Sequence, residues 1–543
     1  MRWWGWGEDS GAISLPAPAL SLLREELDLD GSETGTRVEL GDVQVPPPAL
    51  PESVRGELAA MGLRDDQPTR VAHAVGRSYP DLVRIRSGDG SNAPDAVVTP
   101  GSAGQVPAIL AACARSGVAV IPFGGGTSVV GGVEALRGRH DAAVSLDLTG
   151  LDALLDVDPV SLTATVEAGV FGPALERLLA EHGMTLGHFP QSFEFSTVGG
   201  WVATRSAGQA STGYGRIDEL VESVRCETPA GALETRDVPA SAAGPSVREL
   251  VVGSEGILGV ITQATLRVRP VPEARHYEGW SFRTFEEGAE AYRVLEQSGA
   301  SPDVARLSDE DETRVSMALS ASGSAAERAG RAYLRLRGHG QGCLAFTGFE
   351  GAPDEVARRR GRTAGLLRAH GAVSLGQRPG RSWLRGRFAA PYLRDEMLDH
   401  GVMVETLETA TTWTNLHHLY AAVGDALRRS LSARGTPPVV MCHISHLYPS
   451  GASLYFTFIA RQEPGAELDQ WRSAKTAACD AIEANGGTIT HHHAVGTDHA
   501  PWMVDEIGDL GVAVLAAAKE RLDRAGIMNP GKLLPGDRAT GLM

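Results

Sequence analysis

The sequence predicts an α+β protein of two domains with terminal segments attached to them. Three observations lead there. At 543 residues the chain exceeds what one compact core serves, since single cores stop growing at roughly 250–300 residues. From Asp95 onward short strands and helices alternate without the long βαβ series of a dinucleotide fold. Glycine is dense between Gly124 and Gly259 and thins from about Val271, where longer helical patterns take over. The boundaries that follow are an N-terminal arm and helical segment at 1–90, a first domain at 91–270, a second at 271–500 and a C-terminal segment at 501–543.

Composition narrows the class. With 42% hydrophobic and 22% charged residues, the chain has the make-up of an ordinary globular protein. No apolar run reaches the length of a membrane span. The segment 1–8 has no apolar core after Arg2, so it does not read as a secretory leader, and a cytoplasmic protein is expected. A net charge of −17 supplies no basic field for phosphates, which excludes a nucleic-acid binder. The densest basic run, 358–362, follows Asp354 and Glu355 and reads as one solvated helix face. The five cysteines show no C-x-x-C spacing, so reduced, buried thiols are expected and not a disulfide framework or structural zinc.

In chain order, residues 1–60 are rich in Pro, Gly and Ser, with one helical stretch at 20–27, and read as an arm lying on the folded body. Trp3, Trp4 and Trp6 are costly to expose and are expected to dock in a groove. Strands are predicted at 96–100, 118–122, 143–148, 154–158 and 161–168, with helices at 103–116 and 171–182, and a strand pair near Val224 and Leu233. The second domain is predicted to hold strands at 343–350, 439–446 and 452–461 and helices at 284–298, 354–370, 415–433 and 469–485. A last helix is predicted at 511–525.

Three glycine-rich segments interrupt this pattern. The first, 121–132, reads IPFGGGTSVVGG. Its bare backbone can take positive φ and turn N–H groups towards a diphosphate. It is neither the Rossmann G-x-G-x-x-G nor the Walker loop with its lysine, and alone it fits a surface turn equally well. Segments 196–218 and 253–262 repeat the character. Three within about 140 residues exceed what turn chemistry needs and favour a bulky phosphorylated ligand.

Three stretches of the second domain could carry chemistry. His491, His492 and His493 are consecutive, and on a strand at most two of them converge. They suit proton transfer or anion binding; for a metal they lack an acidic or cysteine partner at familiar ligand spacing. At 446–458, alternation puts Leu454, Phe456 and Phe458 on one face and Ser453, Tyr455 and Thr457 on the other. Tyr455 is then either a satisfied structural hydroxyl or, if its pKa is lowered, a proton carrier. Arg394, at 389–395, is either a surface ion-pair residue or the guanidinium fork that a phosphorylated substrate needs in a net-negative protein.

The blocks PFGGGTS (122–128), EFSTVGGWVATRSAG (194–208), YGRIDELV (214–221) and GSEGILGVITQATL (253–266) resemble the FAD-binding domain of the vanillyl-alcohol-oxidase, or PCMH, type. The resemblance implies FAD contact at Pro122, Phe123, Gly124, Gly125, Gly126, Thr127 and Ser128, at Ser196, Thr197, Gly199, Gly200, Thr204, Ser206 and Ala207, and at Glu255, Gly256, Gly259, Val260 and Ile261. Some relatives carry a histidine near the end of the first loop that bonds to the flavin; Thr127 stands there, so FAD is expected to be held non-covalently.

GASLYFTF (451–458), the triple histidine, YLRD (392–395), VETLET (404–409) and WWGWG (3–7) are similar to the alkyldihydroxyacetonephosphate synthase family, flavoenzymes of ether-lipid synthesis. That resemblance implies two α+β subdomains holding FAD, an antiparallel-sheet cap domain with covering helices, and a tail folding back on the flavin domain. It makes Tyr455 the catalytic base and His493 its partner, with His492 and His491 beside them, and puts Arg394 on the substrate phosphate, Thr406 near it and Arg306 also at the site. The implied reaction exchanges the acyl chain of acyl-dihydroxyacetone phosphate for a fatty alcohol through a flavin N5 adduct, in a homodimer with peripheral membrane contact. The rival is an FAD-linked D-2-hydroxy acid dehydrogenase, whose H-x-G-D-G-N-x-H segment holds a metal. Here Ser453 replaces the second histidine and the acidic centre is missing, so no metal is expected. The basic residues expected after the histidine-valine-glycine run are replaced by 497–501, TDHAP.

Overall fold

The computed structural model describes residues 1–536 apart from 32, 36 and 321–323, and has the expected α+β character. A four-stranded sheet runs, in spatial order, Leu63–Arg64, Ala96–Val98, Ala142–Asp147 and Val118–Phe123. Its last three strands pair in parallel and are buried almost throughout, as strands covered on both faces must be. The crossover helix Val106–Ser116 stops at Gly117, whose φ of +63° is the left-handed cap that glycine supplies at low cost. A second, antiparallel sheet follows in the order Leu154–Asp158, Thr163–Glu167, Val260–Arg267, Val221–Thr228, Gly231–Glu234.

The tail returns to the first sheet. Val120 donates to Ile527 O (2.8 Å) and accepts from Asn529 N (2.9 Å), and Ile527 and Met528 are buried in that sheet's core. Residues 537–543 of the tail lie outside the described residues.

The second half is built on an eight-stranded antiparallel sheet. At one end of it the edge strand Val402–Thr412 pairs with Gly451–Arg461 along its whole length. The predicted alternation holds: Leu454, Phe456 and Phe458 are fully buried against the helices Phe285–Gln297, Leu416–Ala433 and Glu467–Ala484. Tyr455 and Thr457 look out from the other face. The arm helix Ala17–Leu27 packs Ala19, Leu23 and Leu27 against Val402, Val439 and Ile459 of this sheet. The tryptophans dock as expected, Trp6 buried and Trp4 held between the guanidinium groups of Arg2 (4.3 Å) and Arg37 (3.9 Å).

Two expectations change. The last helix runs Met503–Leu522 and is broken at Gly508, whose φ of 75° interrupts the spiral. The basic run is not one solvated face. Arg359 pairs with buried Asp303 (2.9 Å) and Arg360 with buried Glu278 (3.0 Å), so only part of the run faces water. Those partners lie more than 50 residues away, where helical periodicity cannot register them.

Candidate active site

The strand Val118–Phe123 delivers the glycine loop to the segment at 195–197, and packing there dictates the sequence. A Cβ on Gly124 would meet Thr197 Oγ1 at 2.3 Å, and one on Gly125 would meet Phe195 O at 1.7 Å. Gly126 has φ +66°. The loop therefore lies flat against Thr197 and leaves its opposite side bare. A narrow groove results. Pro122, Phe123, Gly124, Ser128, Thr197, Gly199, Gly200, Thr204, Glu255, Gly256, Gly259 and Ile261 line it, joined by Ala494 and Asn529 from the far end of the chain. A glycine-lined backbone with an apolar wall fits a dinucleotide with a diphosphate at its middle.

Other predicted contacts are otherwise engaged. Ser196 Oγ accepts from Trp201 Nε1 (2.7 Å), Ser206 Oγ is 2.8 Å from His188 Nε2, and Val260 is fully buried. Gly125, Gly126, Thr127 and Ala207 are outside the lining of the groove.

Glu255 ties this groove to the histidines. It accepts the N–H groups of Val495 (2.8 Å) and Gly496 (2.7 Å), and burial pushes its pKa up to about 7. Ala494, at φ +74°, makes the turn between the histidines and the groove.

The histidine segment corrects the sequence reading. Residues 490–496 are irregular, not a strand, so the alternation rule does not apply and all three rings converge. The cause is Glu408, a fully buried carboxylate on the strand opposite Tyr455. It takes the N–H of His491, those of His492 (3.0 Å) and His493 (2.5 Å), and the hydroxyl of Thr490 (3.0 Å). Burial alone would raise its pKa; the histidines and these donors outweigh it and hold the carboxyl well below its usual range.

Tyr455 packs edge-on to His493 (5.3 Å between ring centres) and stacks on His492 (5.9 Å) and His443 (4.7 Å). The condition attached to the phenol is not met. Burial pushes it up to about 12, against the pull of the Thr406 side chain, so it is protonated at neutral pH. Burial acts in the opposite direction on the imidazoles: His492 is driven down to about 3, and His491 and His493 are also lowered. The pair thus consists of a neutral base beside a neutral donor.

Two groups bring ligand atoms within 4.8 Å of one another: His446 with His491 and His492, and Glu408 with His492 and His493. Hydrogen bonds already use much of both. Glu408 has four donors, His491 Nε2 meets Tyr448 Oη at 2.6 Å, and His446 Nε2 meets Gly208 O at 3.1 Å.

Arg306 pairs with Glu312 (2.7 Å) and contacts His443 Nδ1 (3.1 Å), which puts it one ring behind Tyr455. Arg394 donates from Nη1 to Arg77 O (2.6 Å), while its buried Nε and Nη2, the latter 3.9 Å from Asp395 Oδ1, have no hydrogen-bond partner among the described residues. Sequence reasoning missed Glu408, Glu312 and His443. Glu408 had a signal, because it lies two residues past Thr406 on the same strand face. The Arg306, Glu312 and His443 triad comes from three separate elements and had none.

Comparison with known proteins agrees with this geometry. Residues 94–236 match the FAD binding domain family, and 271–533 the C-terminal domain of FAD linked oxidases. The chain is similar to an alkyldihydroxyacetonephosphate synthase of Dictyostelium discoideum, at 35% identity over 98% of this chain and 93% of that one. A solved alkyldihydroxyacetonephosphate synthase structure superposes with a TM-score of 0.85 at 33% identity, over 98% of this chain and 99% of the other. The mitochondrial D-lactate dehydrogenase [cytochrome] of Arabidopsis thaliana is more distant, at 26% identity over 82% of this chain and 74% of its own length.

Proposed function

The chain belongs to the alkyldihydroxyacetonephosphate synthase family, and from that membership we propose that it is an FAD-dependent enzyme replacing the acyl chain of acyl-dihydroxyacetone phosphate with a long-chain alcohol, forming the ether bond of an ether lipid. The observation that carries the reading is the junction of cap and groove. Tyr455, His492, His493 and Glu408 stand together, and their segment runs directly into Ala494 on the wall of the flavin groove.

FAD, held in the groove by residues such as Gly124, Ser128, Thr197, Gly200 and Gly256, would supply an electrophilic centre for the exchange. The protein does the rest. His493, neutral in its buried site, takes the proton from C1. Tyr455 donates a hydrogen bond to a substrate oxygen, with Thr406 orienting its hydroxyl. Glu408 holds the histidines in register, His492 stacks on the phenol, and His491 is fixed beside it by Tyr448. Arg394 presents its two unpartnered N–H groups to the substrate phosphate. Arg306 acts through His443. Thr127 in place of a histidine supports non-covalent FAD.

In this reading 91–270 hold FAD, 271–500 cap the substrate, the segment from 501 returns to the flavin domain, and 1–90 lie across the body. We place the protein in the cytoplasm as a homodimer touching the membrane that supplies its lipids. No helix among the described residues is long and apolar enough to cross that membrane. Ser453 beside His446 (3.3 Å), where the dehydrogenase branch has its second metal ligand, disfavours the rival. The test is anaerobic mixing with palmitoyl-dihydroxyacetone phosphate plus labelled hexadecanol, and with D-lactate separately. Ether product with the first mixture is expected; lasting flavin bleaching by D-lactate alone sinks the reading.

A further inference from the structure

Arg394 does not stand alone. Arg77, itself buried, accepts Arg394 Nη1 on its carbonyl and sends Nη2 to Arg2 O (2.8 Å) and Nη1 to Gly76 O (2.6 Å). Its Nε faces only the thioether of Met1 (3.1 Å), a weak acceptor for a guanidinium. Arg2 reaches in from the arm: its side chain is 9% exposed, its Nε donates to Trp6 O (2.8 Å), and its Nη2 lies 3.3 Å from Asp395 Oδ2. The same Asp395 oxygen takes the N–H of Trp6, and Asp395 Oδ1, 3.9 Å from Arg394 Nη2, has no hydrogen-bond partner among the described residues.

The charges do not balance. Three guanidinium groups face two buried carboxylates, Asp395 and Glu405, and Glu405 is shared with Lys475, so positive charge is in excess. Asp9, 3.9 Å from Arg2, is almost fully exposed and contributes little. Asp81 is bonded to Arg84 (3.4 Å), and burial has pushed its own pKa up to about 6. Buried charge persists where something pairs with it. A phosphate monoester carries about −1.5 to −2 at neutral pH, with three acceptor oxygens.

Position agrees with charge. Arg77 N donates to Ser128 O (2.6 Å) at the end of the glycine loop, and Trp6 packs edge-on to Phe195 (5.8 Å), beneath Gly125. Arg394 acts electrostatically on Glu405, next to Thr406. The cluster therefore bridges the flavin loop and the catalytic strand.

We propose that Arg77 and Arg2, with Arg394, form the binding site for the phosphate monoester of the substrate, and that the N-terminal arm is thereby part of the active site. The inference rests on the proposed synthase reading for the identity of the ester. Phosphoryl oxygens could also come from the FAD diphosphate. The glycine loop provides for that group with neutral backbone donors, so the cluster is assigned to the substrate.

The test uses the full-length holoprotein and four variants: Arg77→Met, Arg77→Lys, Arg2→Met and Arg394→Met. Flavin content is read from absorbance, and binding of labelled dihydroxyacetone phosphate from equilibrium dialysis, which needs no turnover. Each methionine variant is expected to keep its FAD and weaken binding at least tenfold, with Arg77→Lys recovering part of the loss. KM for palmitoyl-dihydroxyacetone phosphate should rise in parallel, while the affinity for unphosphorylated palmitoyl-dihydroxyacetone stays unchanged. Binding within twofold of wild type in Arg77→Met and Arg2→Met overturns the proposal, as does loss of FAD with dihydroxyacetone phosphate binding intact, which would assign the cluster to the cofactor. If Arg77→Met does not fold, Arg2→Met on the arm decides alone. Absence of ether product in wild type, with binding still dependent on the arginines, would overturn the synthase reading and leave this site standing.

Discussion

Replacing Glu408 by glutamine asks most directly whether one buried carboxylate assembles the site. The two side chains have the same shape, so no cavity forms and the effect is electronic. In the native chain one carboxylate oxygen takes Thr490 Oγ1 and the N–H groups of His492 and His493, and the other takes that of His491. An amide oxygen can keep the first set only by turning its NH₂ onto His491 N–H, donor against donor. Losing a hydrogen bond to a charged acceptor costs about 1.5–3 kcal/mol, and leaving a buried donor unpaired about 1–3 kcal/mol more. A total of about 2.5–6 kcal/mol corresponds to a fall in the thermal midpoint of roughly 5–24 °C, at about 2–4 °C per kcal/mol for a domain of this size. The histidines also lose the carboxylate that lies 3.7 Å from His492 and 3.6 Å from His493. Turnover should therefore drop about a hundredfold, on the scale of a displaced acid–base group. FAD content should be retained, because Glu408 is outside the groove. Melting followed by far-UV circular dichroism, alongside product formation from labelled alcohol, checks both. A midpoint within 2 °C of wild type with turnover within twofold would refute the reasoning.

Other perturbations probe different parts of the site. Gly125→Ala places a Cβ 1.7 Å from Phe195 O, which must move the loop, so FAD should be lost on purification; a yellow variant with full flavin content would contradict this. Tyr455→Phe should keep FAD and abolish exchange, and wild-type turnover would remove the phenol from the mechanism. Arg306→Met leaves Glu312 as a buried charge with the His443 ring and the Ser308 hydroxyl but no cation beside it and should destabilise by about 3–5 kcal/mol, with Glu312→Gln in the same chain restoring most of the loss. Glu255 has its pKa raised from 4.5 to about 7, so the folded state holds this proton more tightly than the unfolded chain. Its contribution is full below pH 4.5 and lost as pH rises to 7, a change of about 3 kcal/mol. Glutamine does not titrate; the midpoint of Glu255→Gln should gain on wild type by several degrees between pH 5 and 8, and parallel curves would refute the shift.

What the sequence by itself determined was whatever depends on near neighbours. The glycine triplet at Gly124, Gly125 and Gly126 announced a bare loop because only glycine tolerates that approach of backbone to backbone. The burial of Leu454, Phe456 and Phe458 followed from the period of two, which any half-buried strand must show. Family resemblance then drew attention to Tyr455, His493 and Arg394, which no periodicity distinguishes from structural residues.

Only the tertiary structure decided how those residues are arranged and charged. The histidines converge because Glu408, more than 80 residues earlier, takes their backbone N–H groups and prevents a strand from forming there. Burial, set by everything packed around the site, pushes the phenol further towards its protonated form and the imidazoles further towards neutral, so a histidine and not the tyrosine is placed to take a proton. Arg2 meets Asp395 across 393 positions of chain. Hydrogen bonds and ion pairs depend on distance in space, and local sequence patterns carry no record of contacts that only the packed fold creates.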